Sequence, residues 1–506
     1  MTSATRLRRV REVHRARSGG NTPGATPYMV YLVVMLTLIV AVPLLRLVVL
    51  GLAQPGALAI LCASGGPVVL GVIVGVLFAG MVFLGRVRGP VLLSPFLTAV
   101  VAGNDLPRRR TLWRSFLGST LVLVGVVLGS AVLVAGVLVT AGAASVLSAV
   151  VFVTGLLLVA GLAGVAWLIG QRLSSRSGNI LAAVLVTVTV VTTVIPGVQV
   201  ITPWGWVAAL YPTSAAMPAA GLALVAFVVI VLVAALVVPR LLDGLNGTML
   251  GAQARRWQTV GTFGATGDLA SALAQFRALP YTGRTWGAVR ARPLGVTFFV
   301  RDLLGSLRTP VRFASAAVAL AGAGFLLVIA FAAPSTVMWL PTLVGAVLGY
   351  LALGVWSDGF RHAVEAAGVT SLYGIGDGRL LLFHAALPIL CVLIFAGIGG
   401  VAAVTVGAPL LGLLVSITLL LFTVSVRAFD SVKGPMPLAL LVPAPTPFGD
   451  FSGLLIAYWQ ADALIITGTV AITLTLAVVS APLWLGALVP AAAAMLYLTR
   501  RKLARL

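Results

Sequence analysis

The sequence predicts an all-α integral membrane protein, with twelve transmembrane helices arranged as two pseudo-repeated six-helix halves. Three observations predict it. Of the 506 residues, 60% are hydrophobic and 9% charged, and the mean hydropathy is +1.14; a soluble domain carries roughly 25% charged residues. Twelve stretches approach the roughly 20 apolar residues that a bilayer-spanning helix needs. The 33 Lys and Arg outnumber the 11 Asp and Glu, and they sort to one side when the twelve stretches alternate. This composition excludes a soluble enzyme and, away from the ends, intrinsic disorder, which needs low hydrophobicity.

In chain order, a basic cytoplasmic tail (1–27) comes first, and its Ser/Gly/Thr/Pro-rich part, 18–27, reads as a flexible lead-in. The first half, 28–239, holds spans at 28–52, 67–85, 116–140, 144–170, 180–196 and 216–239. A cytoplasmic linker, 240–309, contains a short helix near Asp268–Leu279, stopped by Pro280. An amphipathic helix in the inner interface follows it. Phe299, Val300, Leu303, Leu304 and Leu307 line its apolar face, and Arg301, Asp302 and Arg308 the polar one. The second half, 310–499, holds spans at 310–333, 336–356, 385–404, 408–426, 463–479 and 482–499, and 500–506 is a basic cytoplasmic tail.

Thirty-two of the 33 basic residues fall in the tails, the loops after spans 2, 4, 8 and 10, and the linker with the first turn of the span after it, where Arg312 stands. The alternate loops, at 53–66, 141–143, 197–215, 334–335, 405–407 and 480–481, contain none. The positive-inside rule then puts both termini in the cytoplasm. The surplus is a topological signal and no nucleic-acid footprint. Arg46 is the exception, about 27 Å along span 1 at 1.5 Å per residue; it reads as snorkelling to the outer interface, the alternative being an anion contact in a cavity. With 31 Arg against 2 Lys, the composition points to a GC-rich bacterial genome and hence to a bacterial plasma membrane.

All eleven acids lie in the inner segments or at their edges. Ion-coupled carriers usually keep an ionisable group near mid-membrane, so coupling to protons is disfavoured. A P-loop needs Gly-Lys followed by Ser or Thr, and Lys433 and Lys502 both lack that setting. His14, His362 and His384 are scattered, and Cys62 and Cys391 form no CxxC pair, so no metal site is predicted. No catalytic residues are assigned, and the chain reads as a non-enzyme without a cofactor of its own.

The halves show faint self-similarity. Arg110-Thr-Leu-Trp-Arg-Ser-Phe116 leads into span 3 and Arg379-Leu-Leu-Leu-Phe-His-Ala385 into span 9, 269 positions on; Thr187, Thr189 and Thr193 match Thr467, Thr469 and Thr473 at an offset of 280. These threonines are candidates for lining a substrate path; bonding of each hydroxyl to a carbonyl one turn back is the structural alternative. The loop between spans 2 and 3 carries Leu106, Pro107, Arg108, Arg109 and Arg110, and the loop between spans 8 and 9 carries Glu365, Asp377 and Arg379.

These two loops resemble the coupling-helix segment of type-2 ABC exporter permeases, where a Glu and then a leucine-rich stretch with Pro and paired Arg precede the third span of each six-span unit. Pro203-Trp-Gly-Trp206 with Leu210-Tyr-Pro212 stands where that family has an outer loop, and Leu441–Asp450 with Trp459-Gln-Ala-Asp462 is similar to fused two-half permeases of actinobacteria. The first loop departs from the pattern in lacking the Glu, and the second has Gly376-Asp377 where Pro and Arg are usual. The resemblance implies a permease subunit that moves a hydrophobic or amphipathic compound outward. It also implies a partner ATPase, in two copies, that holds the ATP and Mg. A twelve-span secondary carrier and a non-transporting scaffold remain the alternatives.

Overall fold

The computed structural model describes residues 37–504 apart from 64, 103–106, 196, 214–216, 266–270, 273–274, 277–279, 284, 288–292, 368–373, 435, 443–444, 447–448 and 451, with scattered positions before residue 37. Among the described residues the regular elements are helices, save a two-residue antiparallel pair, β1 (Pro445–Thr446) and β2 (Gly449–Asp450). It divides into two compact units, Met1–Gly261 and Thr262–Leu506.

The first unit contains α1 (Val42–Leu52, entered by a π turn), α2 (Pro55–Cys62), α3 (Gly66–Val87) and the short α4 (Pro95–Ala102). It continues with α5 (Arg108–Thr140), α6 (Val146–Arg172), α7 (Ser175–Val194), α8 (Pro203–Ala209), α9 (Met217–Asp243) and α10 (Gly247–Ala265). Its core is α3 packed on α6 and α7, with α5 and α9 flanking α6. The closest crossing needs glycine: a Cβ on Gly170 would lie 2.1 Å from the Val82 carbonyl oxygen, and one on Gly85 2.3 Å from that of Trp167. Small residues let membrane helices approach backbone to backbone, where lipid supplies no hydrophobic drive between them. At the opposite end, α8 packs on α3, and the Tyr211 hydroxyl donates to the Leu61 carbonyl at 2.8 Å. Burial, with Cys62 adding to it, pushes the Tyr211 phenol up and keeps it a donor. The α1–α2 pair touches this bundle only slightly, and most of its side chains, Arg46 included, are exposed.

The second unit contains α11 (Leu294–Leu307), α12 (Pro310–Ile329), α13 (Trp339–Leu353), α14 (Asp358–Ala366), α15 (Asp377–Cys391), a π turn (Val392–Ala396) and α16 (Gly397–Thr405). Then come α17 (Leu410–Ser431), α18 (Ser452–Ser480) and, after a 3-10 turn, α19 (Leu488–Leu503). Here the first long helix is central. α12 packs on α13, α16 and α17, and its Leu320 and Ala323 are wholly buried. α13 packs on α18, and α17 on α19.

Among the described residues, ten helical stretches are long and apolar enough to cross a bilayer. Two bent pairs, α1–α2 (73°) and α13–α14 (55°), bring the number to twelve if each is one span. Several boundaries differ from the hydropathy reading. α5 starts at Arg108 rather than 116, and α15 at Asp377 rather than 385, because a helix can run on past its apolar stretch with polar residues in its first turns. The stretch 336–356 is not one straight span, since α13 stops at Leu353 and the chain turns into the amphipathic α14. The amphipathic helix expected around 299–307 is present as α11. The expected helix Asp268–Leu279 lies largely outside the described residues.

Candidate functional site

Apart from Arg46, the described charged residues of each unit gather at one end, and each unit builds there a polar platform beside a short helix. In the first unit the platform is made of amides. The last carbonyls of α3 have no intrahelical partner. Gln253 of α10 donates to the Gly85 and Arg86 carbonyls at 3.1 and 2.9 Å, and Trp257 to that of Val87 at 2.9 Å. Gln171 of α6 bonds both backbone groups of Val91, accepting at 3.2 Å and donating at 2.8 Å, and also donates to Gln253 at 2.9 Å. A Cβ on Gly89 would lie within 1.8 Å of the Gln171 amide carbon. The chain leaving α3 is therefore fixed before it reaches α4. Ser119 of α5 donates to the Pro90 carbonyl at 2.8 Å, and Ser94 caps the start of α4 by accepting from the Leu97 amide at 3.4 Å.

The three arginines at the head of α5 divide. Arg108 donates to the Leu245 carbonyl beyond α9. Arg109 meets Asp243 twice, through its backbone N–H at 2.8 Å and its Nε at 3.6 Å. Arg110 is exposed. Pro107 starts the helix, and Leu106 lies outside the described residues.

In the second unit the platform is ionic. Arg312 of α12 pairs with Asp358 at the head of α14 at 2.9 Å. Arg427 of α17 lies over the Tyr350 ring, 3.6 Å from its centroid, and donates to the Tyr350 carbonyl at 2.9 Å. The Tyr350 hydroxyl donates to Asp430 at 2.8 Å. Lys433 joins Asp430 at 3.1 Å and also bonds Asp462 of α18, while Lys502 of α19 stands 4.3 Å from the Phe429 ring. Asp302 of α11 and His384 of α15 form a buried pair at 2.5 Å. A cavity of about 250 Å³ opens beside them, lined by Phe298, Arg301, His362, Glu365, Leu380 and His384.

The residues expected at this end are present but unequal in setting. Glu365 is exposed on α14, 3.5 Å from His362. Asp377 stands in the first turn of α15, where a negative charge suits the helix dipole. Arg379 lies over the Phe383 ring at 5.6 Å. Gln171, Gln253, Asp302, Gly359 and His384 are not singled out as site residues by sequence reasoning. Asp302 reads there as one polar position on a helix face, and His384 as one scattered histidine. An acid and one of three histidines beside otherwise apolar helices are the available signal.

The two heads share one register. α5 begins at Arg108 and α15 at Asp377, and 377 − 108 is 269, the offset of the sequence repeat. The threonine match fares differently. Thr187 is exposed where Thr467 is buried, and Thr189 is buried where Thr469 is exposed. An offset of 278 (467 − 189) instead aligns Thr189 with Thr467, both buried and both bonded at 2.7 Å to the carbonyl four residues back. Thr473 bonds Thr469 in the same way at 2.8 Å. Nothing is described for the Thr193 side chain.

Among the described residues, no group of three or more His, Cys, Asp and Glu could hold a metal. No family model, no curated protein and no solved structure matches the chain.

Proposed function

We propose that the chain is the twelve-span permease subunit of an ABC-type exporter in a bacterial plasma membrane. A separate ATPase, in two copies, drives it from the cytoplasmic side and supplies the ATP and Mg chemistry. The cargo in this reading is a hydrophobic or amphipathic compound. The observation that carries the proposal is the matched pair of short helices. Each unit sets one, α4 or α14, between its second and third long helices. α14 is tied to an ionic platform, α4 follows a backbone stretch held by amides, and each is followed by a helix whose head keeps the same 269-residue register. Two repeated docking points suit a twofold ATPase, and among the described residues the buried Asp302 side chain is already paired with His384, so an outside energy source fits this reading. Both termini are cytoplasmic in this reading, because the charge-rich ends are the positive-inside ends.

Two experiments test it. Purification from the native membrane is expected to bring an ATPase with the chain. Reversing Arg110 together with Glu365 (Arg110→Glu, Glu365→Arg) is expected to weaken that association about tenfold, since rim charges steer encounter, with the chain's thermal stability unchanged. A chain that purifies alone and transports without ATP would sink the proposal.

The threonine path is retained only in part. Thr187 and Thr469 are exposed and remain open to a substrate, whereas the Thr189 and Thr467 hydroxyls are already bonded. Thr187→Val with Thr469→Val is expected to slow transport severalfold without altering assembly. Unchanged transport removes α7 and α18 from the path. Thr467→Val is expected to shift stability by about 1 kcal/mol or less, the worth of one hydrogen bond.

A further inference from the structure

We infer that Asp302, His384 and Gly359 form a rigid joint that makes α14, α11 and α15 move as one body. His384 Nδ1 stands 2.5 Å from Asp302 Oδ2, and the side chains are 1% and 8% exposed. An ion pair in water contributes little. Among the described residues neither side chain has another hydrogen bond or ion pair, so removing one leaves the other's polar atoms without that partner. The third element sits directly on the pair. A Cβ on Gly359 of α14 would lie 2.3 Å from His384 Nδ1 and 2.6 Å from Asp302 Oδ2, so only glycine lets α14 settle there. Phe298, one turn before Asp302, adds an independent tie between α11 and α15. It stacks on Phe383 at 5.9 Å and meets His384 edge-on at 5.1 Å.

The joint decides where a push on α14 travels. The covalent route to α13 runs through the 55° bend at residues 354–357, a poor lever. Through the joint the same push reaches α15 directly, and it reaches α12 by way of α11, which runs into it at Thr309 and Pro310, beside the direct Arg312–Asp358 tie. The flank of α14 that carries His362 and Glu365 lines the cavity beside the joint and stays exposed. One face of a short helix is therefore clamped and an adjoining flank free, the arrangement of a transmitting part. Its use in transport rests on the exporter reading; its mechanical unity does not.

Hydrogen exchange on the full chain in lipid nanodiscs, without any ATPase, tests the unity. Asp302→Asn and His384→Phe are each expected to raise exchange about tenfold in both 294–307 and 358–366, since a segment opens locally more often when the packing and bonds that hold it are weakened. Gly359→Ala, which keeps both polar groups, is expected to do the same. A rise confined to one segment, or none, overturns the joint. Should a polar variant not fold, Gly359→Ala, which keeps both polar groups, carries the readout alone. A second arm adds the copurifying ATPase. Stimulation of that ATPase's ATP hydrolysis by the reconstituted chain is expected to fall severalfold in His384→Phe while ATPase binding is unchanged; unchanged stimulation overturns the transmitting role. Failure of the wild-type chain to bind any ATPase overturns the exporter reading and leaves the exchange result standing.

Discussion

Gly399→Val is expected to abolish the folded second unit. A Cβ at Gly399 would lie 1.8 Å from the Ala321 carbonyl oxygen and 2.6 Å from its carbon. One turn along, a Cβ at Gly324 would lie 2.3 Å from the Ala396 carbonyl oxygen. These are backbone atoms of the facing helix, so no side chain can swing aside to make room. Overpacking with flexible neighbours costs about 1–3 kcal/mol; against backbone, at the central α12, the upper end of that range or beyond is expected. Gly397 supplies the control. Nothing lies within 4 Å of its Cβ position, so Gly397→Ala is expected to be neutral or to gain up to about 1 kcal/mol from helix propensity. Thermal unfolding of the detergent-solubilised protein, followed by size exclusion, separates the two. A Gly399→Val protein that melts with the wild type would refute the backbone crossing.

The second large effect is expected at Lys433. Its side chain is 7% exposed and joins Asp430, Asp462 and the Trp459 carbonyl, the last at 3.1 Å. Lys433→Met takes away the cation between two carboxylates that are themselves 25% and 21% exposed. Breaking a buried pair by removing one partner costs about 3–5 kcal/mol, and the lower end is expected here because Arg427 and Tyr350 still serve Asp430. Most of that loss is the stranded charge of Asp462. Adding Asp462→Leu to Lys433→Met is therefore expected to recover at least half of the lost melting temperature. Additive losses in the double variant would show that packing, not charge, holds α17 to α18.

What the sequence could and could not carry follows from the kind of signal each feature leaves. Apolar runs leave a local one, and the stretches marked out by hydropathy reappear among the ten helices and two bent pairs that could cross a bilayer. The stripe Phe299, Val300, Leu303, Leu304, Leu307 likewise marks α11. The break after Leu353 is hidden because Val355 and Trp356 are as apolar as the helix before them, so hydropathy runs on while the chain turns. The π turn at Val392–Ala396 has no compositional mark either. The platforms are the hardest to see. Gln171 and Gln253 are 82 residues apart, as are Asp302 and His384, and a single sequence carries periodicity but not partnership. The threonine repeat shows the converse error, since identity at a fixed offset does not guarantee equal surroundings.

The slight contact of α1–α2 with its bundle, set against the buried centrality of α12, has a consequence for how the chain tolerates change. Leu44, Leu45, Leu47 and Leu50 are exposed by 50% or more, so in a bilayer their neighbours are acyl chains, which accept any apolar shape. A saturation library at these four leucines should thus admit Leu, Ile, Val, Phe and Met almost interchangeably and reject only charge. Over 316–328 the same library should be stringent about size, because Ala316, Ala323 and Gly324 face other helices at close range. Helices that stand in corresponding places in the chain order would then leave opposite statistical marks, one written by the solvent and the other by the fold.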